Sequence, residues 1–137
     1  RKEQAQCLEV AQAALDRCGI ADLADLTVGY LPAGQRRLVE MARAIAGQFR
    51  FLLLDEPSSG LDESETEGFG EILTGLVADG IGILLVEHDV ALVRRICSYI
   101  YVLDFGKLVH HGPTAEVMDS EIVHAAYLGS QELEGAV

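Results

Sequence analysis

Apolar residues repeat along the chain at two different spacings, and these spacings predict helices and strands in alternation. Stripes with apolar residues three or four positions apart, such as Leu38, Met41, Ala42 and Ile45, are typical of helices with one buried face. Short uninterrupted apolar runs are typical of strands in a parallel sheet. Helices are predicted at residues 3–18, 34–47, 63–79, 90–97, 114–118 and 121–128. Strands are predicted at residues 51–54, 81–86, 98–103 and 108–110.

The order of these elements predicts an α/β fold with parallel strands and flanking helices. The run from Phe51 to Leu54 has four large apolar residues and predicts a strand buried on both faces. Asp62 followed by Glu65 predicts a capping box at the start of the next helix, and Asp89 is expected to cap the helix after that.

Two carboxylates, Asp55 and Glu56, follow the first strand directly, and Pro57 prevents the strand from continuing. In an open α/β sheet, ligands bind beyond the carboxyl ends of the strands. There, one carboxylate can hold Mg²⁺, directly or through water, while its neighbour orients or deprotonates a water. The alternative is a strand that ends in two solvated acids.

Two further positions are candidates for binding phosphate. Gly34 and Gln35 open a helix, whose unpaired N–H groups favour an anion, although a plain glycine N-terminus has the same pattern. His88 follows the carboxyl end of the second strand, so in a parallel sheet it is expected at the same crevice as Asp55 and Glu56. A surface or packing histidine is the alternative.

Composition narrows the classes of function. The 137 residues are the size of one domain, and 22 acidic against 10 basic residues give a formal charge of −12. That charge disfavours direct binding of nucleic acid, which needs a basic surface. Cys7, Cys18 and Cys97 cannot all pair, and they are interpreted as small buried side chains of a protein in a reducing compartment.

Four motifs occur together in the order LPAGQ, FLLLDE, SGLD and LVEHD. With them, the chain resembles the C-terminal half of an ATP-binding-cassette (ABC) nucleotide-binding domain from about Leu23 to Gly129. The motifs are similar to its signature motif, Walker B strand, D-loop and H-loop. The runs LPAGQRRLVEMARAIA, YIYVLDFGKLVHHG and AAYLG most resemble ATPases of branched-chain amino-acid importers. The resemblance implies a partial P-loop NTPase (ABC ATPase) fold with part of the helical subdomain.

The resemblance also implies a role for each matching residue and two ligands, ATP and Mg²⁺. Asp55 would hold Mg²⁺, Glu56 would be the general base, and His88 would contact the γ-phosphate. The remaining matching residues would contact nucleotide or the dimer interface: Leu31, Gly34, Gln35, Ser59, Gly60, Leu61 and Asp62.

The implied domain arrangement and partners follow the same family. Residues 1–48 would belong to the helical subdomain, 49–129 to the RecA-like core and 130–137 to a flexible tail. Partners would be a second ATPase subunit, transmembrane permease subunits and, indirectly, an extracytoplasmic substrate-binding protein, with no nucleic acid. The protein would lie in the cytoplasm, peripheral on the inner face of the cell membrane.

The chain departs from the family in one decisive respect: no GxxxxGK[ST] loop occurs in it, and that loop supplies the amides and lysine that hold the phosphates. These residues alone are therefore expected neither to bind ATP well nor to hydrolyse it. The opening without Met is expected of a piece of a longer protein. The resemblance further implies an absent strand between the His88 strand and the strand at 98–103, which would leave sheet edges unpaired.

Two other functions remain open at this point. One is a non-transport ABC ATPase, which the single short helical subdomain and the acidic balance disfavour. The other is a non-catalytic module that binds a full-length partner, against which the intact Asp55, Glu56 and His88 argue.

Overall fold

The computed structural model describes residues 2–47 and 49–125. The chain divides into two compact units, Arg1–Leu92 and Val93–Val137. The predicted boundary between a helical subdomain and a core at residues 48 and 49 stays a prediction. The tail predicted from residue 130 lies outside the described residues.

Helices of the first unit lie close to where the hydrophobic stripes predict them. Helix α1 ends before Gly19, whose φ of +67° is a conformation that glycine adopts readily. Two short 3₁₀ turns separate α1 from α2, the amphipathic helix that begins within the LPAGQ motif. The bounds are α1 Lys2–Arg17, 3₁₀ turns Ala21–Leu23 and Val28–Tyr30, α2 Ala33–Ala46 and α3 Glu63–Ala78.

Helix α3 begins with the predicted capping box. The Asp62 side chain accepts a hydrogen bond from the Glu65 N–H at 2.8 Å, and the Asp62 N–H donates to the Glu65 carboxylate at 3.0 Å. Phe69, Leu73 and Leu76 repeat at helical spacing and are buried. Arg17, in the last turn of α1, pairs with Asp79 after the last turn of α3. This ion pair joins α1 to the end of α3.

The sheet of the first unit has two parallel strands, β1 (Phe51–Asp55) and β2 (Gly82–Val86). Leu53 lies opposite Leu84, and Asp55 lies opposite Val86. The Phe51 ring occupies the space beside Gly82 that a side chain would need. Both strands end at the same edge, as the parallel arrangement requires.

The expectation that β1 is buried on both faces is wrong for the described structure. Leu52 is buried, but Phe51 and Leu53 are 73% and 76% exposed. Leu84 and Val86, on the same face of β2, are also exposed. Successive side chains of a strand point to opposite faces, and the described helices cover only the Leu52 face. An apolar run shows that both faces are suited to burial, without showing what covers each of them.

Helix α4 (Val90–Ile96) begins directly after Asp89, whose side chain caps it by accepting the Leu92 N–H at 3.0 Å, as the sequence predicts. The second unit then contains an antiparallel pair, β3 (Tyr99–Asp104) and β4 (Lys107–Pro113), which is a separate two-stranded sheet. Strand β4 is longer than the predicted 108–110, because its polar end continues to pair with β3 as far as Tyr99.

Short helices α5 (Thr114–Met118) and α6 (Glu121–Val123) complete the described part of the second unit. Val102, Val117 and Val123 form its buried core. Helix α5 has the predicted bounds, whereas the last residues of the helix predicted at 121–128 lie outside the described range.

The three cysteines differ from the expectation that all are buried. Cys18 is buried and Cys97 is partly buried, but Cys7 is exposed, and all three are free thiols. Cys7 lies on α1, and the buried residue of this helix is Ala14. Most of the apolar side chains of α1, including Cys7, are therefore not buried. None of the helices that the structure describes is both long and apolar enough to cross a membrane.

Candidate functional site

The first predicted site residues lie at the carboxyl edge of the β1–β2 sheet. The Glu56 N–H donates to the Val86 carbonyl at 2.8 Å, which continues the strand pairing by one residue beyond Asp55. Glu56 then turns the chain with a φ of +44°, in the left-handed region that non-glycine residues seldom occupy. Such backbone conformations cost about 1–2 kcal/mol and cluster at functional sites.

The structure brings Glu56 and His88 together at this edge. His88 Nδ1 lies 3.7 Å from Glu56 Oε1, and both side chains are more than half exposed. The two residues lie close together because β1 and β2 are parallel neighbours, and Glu56 and His88 come just after their carboxyl ends. A carboxylate and an imidazole at this separation and exposure can both reach a single water or phosphate oxygen.

A third polar side chain at this edge, Glu87, was missed by sequence reasoning. It lies next to His88, yet its side chain is 0% exposed. One of its oxygens accepts hydrogen bonds from the backbone N–H of Ser58, at 2.9 Å, and from the Ser58 hydroxyl. The other accepts the N–H groups of His88 and Asp89, at 3.0 and 3.3 Å.

The environment of Glu87 keeps its carboxyl group ionised. Burial raises its pKa, but the hydrogen bonds from Ser58, Asp89 and His88 outweigh burial and hold the pKa below the ordinary 4.5. The alternation of a strand could have indicated this position. Glu87 lies two residues beyond Leu85 on the more buried face of β2, whereas His88 continues the exposed face of Leu84 and Val86.

The turn between β1 and α3 contains the residues predicted for a dimer interface. The Ser59 N–H donates to the Glu56 carbonyl at 3.1 Å, and the Leu61 N–H donates to the Ser58 carbonyl at 3.0 Å. Gly60 has a φ of +82°, which explains why glycine suits this position. Ser59 and Gly60 are exposed, while the Asp62 side chain is engaged in capping α3.

The predicted anion-binding residues lie at the start of α2. The first helical hydrogen bond runs from the Arg36 N–H to the Pro32 carbonyl at 3.0 Å. The N–H groups of Gly34 and Gln35 are therefore among those that a helix leaves unpaired. Leu31, two residues before the first residue of α2, is buried.

Gly34 is buried against α3. A Cβ at Gly34 would collide with the Glu65 carboxylate, so glycine at this position permits close packing of α2 on α3. Gly34, Gln35, Leu61 and Glu65 line one cavity of about 800 Å³. Asp55, Glu56 and His88 are not among the described residues that line it. The predicted site residues of the first unit therefore form two sets, one at the carboxyl edge of the β1–β2 sheet and one beside the start of α2.

Asp55 has the chemistry that Mg²⁺ prefers but would be a sparse site by itself. Among the described residues, no group of three or more His, Cys, Asp and Glu side chains is arranged to hold a metal ion. Mg²⁺ commonly binds through one or two carboxylates and completes its shell with water and substrate phosphates. An exposed Asp55 at a strand end fits that mode of binding and does not fit an all-protein metal site.

Comparison with known proteins identifies the class to which this arrangement belongs. Residues 2–59 match the family model described as "ABC transporter". Over 90% of the chain, the structure superimposes on that of MJ1267 in its ADP conformation, an ATP-binding cassette of an ABC transporter. The TM-score is 0.81 and the sequence identity is 26%. It also matches cbiO1 from Clostridium perfringens over 98% of the chain, with a TM-score of 0.78 and 25% identity. The fold is that of ABC ATPase cassettes, of which the chain matches about half.

Relatives with two different transport roles match the chain equally well. The lipopolysaccharide export system ATP-binding protein LptB of Haemophilus influenzae is 35% identical over 90% of the chain. The high-affinity branched-chain amino acid transport ATP-binding protein LivG of Salmonella typhimurium is 35% identical over 94% of it. In both cases the match covers 51% of the relative. The chain therefore spans about half the length of the relatives it matches, as it does of MJ1267, of which it covers 50%.

Proposed function

We propose that this chain contributes the hydrolytic half of the ATP site in an ABC transporter ATPase. Glu56 acts as the general base or water-polarising carboxylate, and His88 contacts the γ-phosphate and supports the attacking water. Asp55 would hold Mg²⁺ through water, and a bound ion would supply positive charge beside the phosphates. The observation that carries the proposal is the 3.7 Å approach of Glu56 to His88 at the carboxyl edge of a parallel sheet.

We propose that a second ATPase subunit completes the site. Leu31, Gly34 and Gln35 would meet the γ-phosphate of ATP bound to the opposite subunit. Ser59, Gly60, Leu61 and Asp62 would form the D-loop across the interface. The exposure of Ser59 and Gly60 supports a contact between subunits. Because the Glu65 carboxylate covers the side of Gly34 that lacks a Cβ, a phosphate would approach the free N–H groups from the end of α2.

The sequence supports a further proposal about these residues in isolation. Without a GxxxxGK[ST] loop, residues 1–137 alone bind ATP weakly and do not hydrolyse it. The test is phosphate release in the presence of Mg²⁺, measured for the 137-residue chain and for the complete natural protein that carries it. We expect turnover by the complete protein alone. Turnover by the 137-residue chain, abolished in its Glu56→Gln variant, would contradict the proposal.

For the transported cargo, we propose branched-chain amino acids, on the resemblance of the chain to that group of importers and its similarity to LivG. Lipopolysaccharide export is the second candidate, favoured by the equal identity to LptB. Permease subunits would hold the protein at the cytoplasmic face of the membrane, and an extracytoplasmic binding protein would deliver the amino acid.

The two candidate cargoes can be separated by purifying the complete ATPase with its permease partners and reconstituting the complex in vesicles. Importer function predicts that a binding protein loaded with leucine, isoleucine or valine stimulates ATP hydrolysis. Stimulation by lipopolysaccharide, with no response to the amino acids, would instead support the export role.

A further inference from the structure

The buried carboxylate of Glu87 connects two loops that carry proposed catalytic groups. Ser58 lies two residues after Glu56, in the loop that follows β1. His88 and Asp89 lie in the loop that follows β2. One Glu87 oxygen accepts hydrogen bonds from the first loop and the other accepts hydrogen bonds from the second. The side chain therefore forms a bridge between neighbouring strand ends.

A buried charge of this kind is unfavourable unless several donors surround it. Removing an ionised carboxylate from water is unfavourable, and hydrogen bonds must offset this loss of hydration. Three backbone N–H groups and one hydroxyl donate to Glu87, and all four belong to the two loops. Because the donors can satisfy the charge only when both loops are in place, the carboxylate favours one relative position of the loops.

The bridge acts close to the proposed reacting groups. The Ser59 N–H bonds the Glu56 carbonyl at 3.1 Å, so the turn that contains Ser58 also holds the Glu56 backbone. Glu87 precedes His88 and bonds its backbone N–H. Holding both sides of the bridge therefore fixes the separation between the Glu56 carboxylate and the His88 imidazole, which is 3.7 Å.

We propose that Glu87 is a positioning residue for ATP hydrolysis, which holds Glu56 and His88 at the separation needed to act on one water. The inference rests on the proposed function of Glu56 and His88. Glu87 itself is shielded from solvent and acts through its neighbours. Displacement of a catalytic group by about 1 Å can reduce a rate by about 10²-fold, so a loosened bridge should appear in the rate of the chemical step.

The principal test replaces Glu87 by Gln in the complete natural protein. Glutamine has the same shape, but its amide NH₂ would face the N–H donors of one of the two loops. We expect kcat for ATP to fall by about tenfold or more, with KM for ATP changed by less than about threefold. Glu9→Gln is the matched control, since it removes the same charge from an exposed position on α1 and should leave kcat unchanged.

A second variant separates positioning from general stability. Ser58→Ala removes one hydroxyl donor and leaves the Ser58 N–H in place. We expect it to lower kcat by about threefold when kcat is measured well below the melting temperature of the variant. In the Glu87→Gln/Ser58→Ala double variant, the reductions in kcat should combine to less than their product, because both changes disrupt one bridge.

The outcomes distinguish failure of this inference from failure of the proposed function. If wild-type protein hydrolyses ATP and Glu56→Gln does not, the proposed function stands. A folded Glu87→Gln variant with the kcat of Glu9→Gln would then overturn the positioning role. If Glu87→Gln does not fold, Ser58→Ala decides: a reduced kcat, measured well below the melting temperature of this variant, supports the role, and an unchanged kcat overturns it.

Discussion

At the scale of single residues, the carboxyl edge of the β1–β2 sheet combines two glutamates in opposite environments. Glu56 is exposed and has a left-handed backbone, while Glu87 is enclosed by hydrogen-bond donors. The exposed Glu56 carboxylate is accessible to a ligand, whereas both oxygens of the Glu87 carboxylate accept hydrogen bonds from the protein. This difference separates a group suited to chemistry from one suited to holding loops in place.

Glu87 should make the stability of the protein depend on pH. Its folded pKa is lowered, so its contribution to stability is present above the ordinary value of 4.5 and is lost as pH falls through the folded pKa. We expect Glu87→Gln to lower the free energy of unfolding by a constant amount at about pH 6 to 8, and by a decreasing amount below 4.5. Denaturant unfolding across this range measures the effect. A difference that stays constant down to pH 3, or an equal response of Glu9→Gln, would contradict the expectation.

Gly34 and Glu65 should be energetically coupled. Gly34→Ala forces the Glu65 carboxylate aside and weakens its hydrogen bond to the Asp62 N–H, at a cost of about 1 kcal/mol. In the Glu65→Ala background the new methyl group meets no carboxylate, so the same substitution should be less destabilising by about that amount. Unfolding of the four proteins of the double-mutant cycle measures the coupling. Additive free energies would show that the two residues do not interact.

At the scale of elements, α3 is well capped but weakened along its length by glycine. A Cβ at Gly68 would meet nothing within 4 Å, and the residue is helical and exposed. Gly68→Ala should therefore stabilise the protein by about 0.5–1 kcal/mol, mainly by reducing the entropy of the unfolded chain. Gly60→Ala also meets open space, but its φ of +82° should make it destabilising by about 1 kcal/mol. Thermal unfolding compares the two, and equal shifts would contradict this explanation.

The sequence predicts the elements well because their signals are local. The capping box at Asp62, the cap at Asp89 and the apolar stripe of α3 depend on residues a few positions apart. The meeting of Glu56 and His88 also follows from local signals, once both strands are taken as parallel. The solvent-facing side of β1 and the bridge formed by Glu87 could not be predicted in this way, because each depends on what a distant segment supplies.

At the scale of the whole molecule, one face of the β1–β2 sheet is apolar and yet exposed to solvent. Phe51, Leu53, Leu84 and Val86 form a continuous strip on it. Parallel sheets are almost always covered on both faces. Exposed strips of this kind promote association between chains.

The 137-residue chain should therefore self-associate in solution. Sedimentation velocity should give a weight-average mass that rises with concentration above that of the 14.8 kDa monomer. Leu84→Lys should reduce the association, whereas Leu8→Lys, at an exposed apolar position on α1, should not. A monomer at all concentrations, or an equal effect of both substitutions, would contradict the role of this face.

The joint action of Glu56 and His88 on one water is tested most directly by a kinetic double-mutant cycle in the complete natural protein. Hydrolysis of ATP is measured for wild type, Glu56→Gln, His88→Ala and the double variant, with ATP binding measured in parallel. We expect each single substitution to lower kcat by about 10²-fold or more while ATP still binds, and the double variant to be little slower than either. If either single variant keeps kcat within about threefold of wild type, or if the two effects multiply in full, Glu56 and His88 do not act together.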